Sequence, residues 1–130
     1  MAGYRTNLGR ARGLGSAKHG VGHWISERVS SIALVPLVLW AVWSALRLAA
    51  SGYDGAVAWL ASPINAVLMS LLLLVGFWHM HAGLRVVVED YIHKPVSKSV
   101  LLVLNLFVCI LFGAVAIFSV LKVAFTGGAY

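Results

Sequence analysis

The chain has 130 residues, 61% of them hydrophobic and 11% charged, with ten Lys and Arg against four Asp and Glu for a net charge of +6. Its mean hydropathy is +0.91. Soluble domains are roughly half apolar and about a quarter charged, and disordered chains are more polar still, so both classes are excluded. The single Cys109 excludes a disulfide scaffold. A single-domain integral membrane protein remains. Its basic residues cluster at the ends of apolar runs, where they act as topology signals and meet lipid headgroups. No aromatic-interleaved basic groove suggests nucleic acid.

Residues 1–28 are polar, glycine-rich and basic, with Arg5, Arg10, Arg12, Lys18 and Arg28. They lack the apolar core of a secretory signal and are expected to form a cytoplasmic N-terminal segment. His19, His23 and Arg28 lie just before the first apolar run. Arg28 snorkels there, or binds a carboxylate; Glu27 could pair with it.

A hydrocarbon core of about 30 Å needs about 20 apolar helical residues, and three runs meet that length. The first spans 29–50, interrupted by Pro36 and closed by Arg47. A polar link, 51–64, follows, with Gly52, Asp54, Gly55 and Pro63 as breakers. The second span is 65–88, closed by Glu89 and Asp90, and the link 89–99 carries Lys94, Pro95 and Lys98. The third is 100–125, with Lys122 near its end. Strand-type alternation is absent. The expectation is an all-α, integral membrane fold of three transmembrane helices in a compact up-down-up bundle, a single domain over 1–130. Lys and Arg fall in the N-terminal segment and second link but not in the first link. That places the N-terminus in the cytoplasm of a bacterium, at the inner membrane, or on the matrix side of a mitochondrion. Three helices without a sizeable extramembrane domain also imply a heterologous partner.

Ionisable residues inside a span are costly and are functional candidates by default. His79 and His81 in the second span lie about 200° apart on a helix, on opposite faces, which argues against their sharing one zinc ion. Gly76 and Gly83 stand three before and four after His79, one turn away on either side. Missing side chains there leave a flat slot in which a planar ring such as a haem could be ligated through the imidazole. Alternatively the glycines only permit close helix packing and His79 is hydrogen-bonded across an interface. Asp90 follows His79 by eleven residues, about 20° away in azimuth and about 16 Å along the axis. Asp90 and Tyr91 are either a helix end and an interfacial phenol, or a proton-handling or quinone-binding pair.

The stretch from His79 through Gly83 to Asp90-Tyr91 resembles the small hydrophobic membrane-anchor subunit of succinate dehydrogenase, respiratory complex II. That family has a histidine, a glycine four residues later, and Asp-Tyr eleven and twelve residues after the histidine. The segment 16–31, with His23-Trp24, Arg28 and the pair Ser30-Ser31, resembles the same family's N-terminal signature, most like its proteobacterial and mitochondrial members. The resemblance covers 16–95 by motif; the third span carries none. It implies that His79 is an axial ligand to the iron of a haem b shared with the large cytochrome b membrane subunit, which would supply the second ligand. Tyr91 would hydrogen-bond ubiquinone, Asp90 would support that site or deliver protons, and Arg28 would approach a haem propionate or the quinone-site rim. His23 has a competitor in His19, and His81 competes with His79.

On that reading the chain anchors a flavoprotein subunit with FAD and an iron–sulfur subunit to the membrane. It would be a non-flavin subunit of an enzyme, with no catalysis by the isolated chain. Two rivals remain: a fumarate reductase anchor using menaquinone, and a non-redox helical assembly or transport subunit in which His79 only packs.

Overall fold

In the computed structural model, residues 6–13 and 20–127 are described. Arg5, Lys18 and His19 lie outside them. The elements are α1 (Asn7–Ala11), α2 (Gly20–Leu48), α3 (Gly52–Ala61), α4 (Pro63–Tyr91) and α5 (Pro95–Thr126). Among the described residues there is no strand. Three helices, α2, α4 and α5, are long and apolar enough to cross a membrane. This follows from the solvent: in hydrocarbon each backbone N–H and C=O must be satisfied within the segment, which a helix does by itself.

The helices outrun the apolar stretches at one end of the bundle. Helix α2 starts at Gly20, α4 continues to Tyr91 and α5 begins at Pro95. Helices of 29, 29 and 32 residues rise about 44–48 Å, well beyond a hydrocarbon core of about 30 Å. Residues 20–28 are therefore helical although their hydropathy marks no span. Pro36 lies inside α2 without ending it. The ring removes the donor that would meet the Ile32 carbonyl, a defect membrane helices tolerate.

The 51–64 link holds a helix of ten residues, α3. Its glycines start and pack it rather than break it. Gly52 sits at φ 66°, a left-handed conformation that other residues rarely adopt. A Cβ on Gly55 would lie 2.5 Å from the Ser51 Cβ. Trp59 then stacks on Trp40 of α2 with ring centroids 5.4 Å apart, and the Asn65 side chain donates to the Trp59 carbonyl at 2.8 Å. At the other end Pro95 opens α5 and holds Lys94 extended, at ψ 120°, which leaves residues 92–94 as a tight turn.

Helix α4 is the middle of the bundle. It packs along both α2 and α5, whereas α2 and α5 make no close backbone approach to each other among the described residues. The bundle is thus an open row with α4 shared, not a closed triangle. Gly113 of α5 receives the Phe77 ring; a Cβ there would stand 3.3 Å from Phe77 Cγ. Only 6% of the apolar stretch of α4 is buried within the chain. A central helix this exposed depends on lipid or on another subunit to cover its remaining surface.

Candidate functional site on helix α4

Two rows of contacts set the position of α4. On α2, Ser26 and Ser30 are one turn apart and on one face. Trp78 Nε1 donates to Ser26 Oγ at 3.0 Å, and Ser30 Oγ lies 2.9 Å from His79 Nδ1. Ser30 also donates to the Glu27 carbonyl at 3.0 Å and is buried. On the opposite side, Asn105 of α5 donates through Nδ2 to the His81 carbonyl at 3.0 Å and to His81 Nδ1 at 3.1 Å. Cys109 Sγ donates to Asn105 Oδ1 at 3.4 Å. The two histidines face different helices, as their angular separation predicts.

The polarity of these bonds differs. A backbone carbonyl only accepts, so its bond to the His81 carbonyl fixes which end of the Asn105 amide is the donor. His81 Nδ1 then accepts as well, and the imidazole proton is assigned to Nε2, which removes the lone pair a metal would need there. A serine hydroxyl can donate and accept at once. Ser30 can therefore accept a hydrogen bond from His79 Nδ1–H while donating its own to the Glu27 carbonyl, which leaves the His79 Nε2 lone pair free. His79 Nε2 has no hydrogen-bond partner among the described residues.

His79 is half-buried and lines a groove of about 400 Å³ with Ser31, Leu34, Val35, Val38 and Leu39. A Cβ added at Gly76 or Gly83 would meet nothing within 4 Å. Close packing within this chain therefore does not account for those two glycines, in contrast to Gly113. The imidazole, the apolar groove and the open glycine positions fit a planar, largely apolar group such as a haem, ligated through a single histidine from this chain. Among the described residues, no three His, Cys, Asp or Glu side chains come together as a metal site.

Asp90 and Tyr91 end α4, both exposed. The unbroken helix carries Asp90 onto the face of His79 and about 16 Å along from it, whereas Tyr91, one residue on, is turned about 120° from His79. Beside them Arg85 donates to Glu89 at 2.7 Å, and Lys98 of α5 closes onto the Glu89 carbonyl at 2.7 Å. Arg28 is exposed and lies over the Trp24 ring, 5.5 Å from its centroid. It sits about 200° around α2 from Ser30, so α2 itself separates it from His79. Glu27 does not pair with Arg28 but with His23, at 3.5 Å. Consecutive residues on a helix diverge, whereas those four apart share a face.

Ser26 and Asn105 play no part in the sequence pattern, and Ser30 enters it only as one of the Ser30-Ser31 pair. Two signals could have found them: two serines four apart where the first span begins, and a lone asparagine inside the apolar third span.

Residues 2–121 match the family described as the succinate dehydrogenase/fumarate reductase transmembrane subunit. The chain belongs to that family. It is 31% identical over 108 residues to the succinate dehydrogenase hydrophobic membrane anchor subunit of Rickettsia conorii, covering 82% of this chain and 86% of that one. Identity to the same subunit of Rickettsia bellii is 29% over 120 residues, covering 92% and 88% of the two chains. That of Paracoccus denitrificans is 30% identical over 102 residues, covering 76% and 77%. No solved structure matches the chain.

Proposed function

We propose that this chain is the membrane-anchor subunit of a succinate:ubiquinone oxidoreductase and contributes to a haem b site and a ubiquinone site. The observation that carries the reading is the state of His79. Its Nδ1 is engaged by Ser30, its Nε2 is unpartnered, and it lines an apolar groove on a helix that ends in Asp90-Tyr91. In this reading His79 Nε2 would hold the iron of a haem b, and a partner cytochrome b subunit would supply the second ligand. A haem b there supplies a one-electron centre between the subunits.

The remaining work falls to the chain's own polar residues. Tyr91 would donate its phenol O–H to a carbonyl of ubiquinone, a bond that strengthens as negative charge grows on that oxygen. Asp90 would support the site and pass protons to the reduced quinone. Arg28 would meet a propionate or the quinone-site rim from the outer face of α2. The flavin and iron–sulfur chemistry would lie on the flavoprotein and iron–sulfur subunits. The Lys and Arg distribution supports a cytoplasmic N-terminus in a bacterial inner membrane, with Tyr91 at that same side.

The test is a dithionite-reduced minus oxidised absorption spectrum of the purified native complex, for wild type and His79→Ala. A b-type band in the wild type that the variant loses is the expected result. No band in the wild type would overturn the haem assignment.

A further inference from the structure

Ligation through Nε2 requires the His79 proton to sit on Nδ1, and the structure contains a device for holding it there. Ser30 Oγ is 2.9 Å from Nδ1 and 3.0 Å from the Glu27 carbonyl. The protons can therefore run in one direction, from imidazole N–H to hydroxyl oxygen and from hydroxyl hydrogen to carbonyl. Ser30 is 6% exposed, so water does not compete for it. Its neighbour Ser31 donates to the same carbonyl at 2.8 Å. Ser26 holds Trp78, the residue before His79, at 3.0 Å, which keeps α4 in register with Ser30.

We propose that Ser30 is a positioning residue that holds His79 in the Nδ1-protonated tautomer and raises the basicity of Nε2 toward the metal. The inference rests on His79 being the axial ligand. Hydrogen bonds from a ligating histidine to its surroundings set ring orientation and donor strength, and losing such a partner typically costs about 10–100-fold in metal affinity. A more basic imidazole favours ferric over ferrous iron. Removing the Ser30 hydroxyl should therefore weaken ferric binding more than ferrous binding. A tenfold change in that ratio is about 59 mV for one electron.

The experiment is redox titration of the haem b band in the purified native complex, for wild type, Ser30→Ala and Ser30→Thr. The expected result is a midpoint potential raised by roughly 59 mV in Ser30→Ala, the tenfold case. Ser30→Thr keeps the hydroxyl and should return toward wild type. Haem loss in Ser30→Ala that Ser30→Thr reverses carries the same meaning, because the hydroxyl is what the two variants do not share. A lowered potential in Ser30→Ala, or equal behaviour of the two variants, overturns the role of Ser30. Retention of the band by His79→Ala instead overturns the axial-ligand reading, so the two failures are distinguishable.

Discussion

The two long faces of α4 each carry one histidine, and they are built differently. On the α5 face, His81 is tied through Nδ1 and through its own carbonyl to one Asn105 amide, and close by the Phe77 ring fills the notch left by Gly113. Donor and acceptor roles there are fixed; His81 too lines an apolar groove, of about 410 Å³, with Phe77, Cys109 and Gly113, so bond polarity and not open space sets the two faces apart. On the α2 face, His79 meets a hydroxyl that can play either role, and the glycines above and below it are open. The same side chain, two residues away, is left with a nitrogen to offer. Whether a histidine in a span keeps a nitrogen free for a ligand thus depends on the polarity of its partner, which residue type does not reveal.

The largest expected effect contrasts the histidines directly. His81→Ala should keep the b-type band that His79→Ala loses, measured in the same reduced minus oxidised spectra. The cost of His81→Ala falls on packing, about 1 kcal/mol for one interhelical bond in a membrane. Loss of the band in His81→Ala alone would reverse the comparison.

Tyr91 lies beyond both faces at the exposed end of α4. In Tyr91→Phe, loss of a hydrogen bond to a charged oxygen, about 1.5–3 kcal/mol, should lower kcat/KM for ubiquinone roughly 10–100-fold. Subunit composition and haem content should stay unchanged; normal turnover would remove Tyr91 from the site.

The smallest effect sharpens the packing side. Gly113→Val would press at least one methyl into the Phe77 ring, since a Cβ alone already reaches 3.3 Å. A thermal unfolding series on the complex should show it destabilised by about 1–3 kcal/mol, the usual cost of overpacking. The haem potential should not move. A shifted potential with unchanged stability would show that the α5 face also tunes the site.

Much of this is legible in the amino-acid sequence. The three spans appear because hydropathy is summed locally and lipid demands helices. His79, Gly83 and Asp90-Tyr91 keep their relation because α4 is one unbroken helix with a constant rotation per residue. The sequence marks 51–64 only as a polar link, because Gly52 and Gly55 look like breakers when neither the φ at one nor the Ser51 contact at the other is visible. Hydropathy falls short of the helix ends for a related reason: it reports where hydrocarbon ends, and a helix does not stop there.

The amino-acid sequence therefore determined the class, the number of crossings and the opposition of the two histidines, all of which depend on neighbours within a few turns. The tertiary structure alone decided that α4 lies between α2 and α5, that Arg28 is turned away from His79, and which bond polarity each imidazole meets. Those outcomes join residues far apart in the chain, 49 positions for Ser30 and His79 and 24 for His81 and Asn105. No local pattern encodes the direction of such a hydrogen bond, because it depends on which side chains the packing of α4 against its two neighbours brings opposite one another.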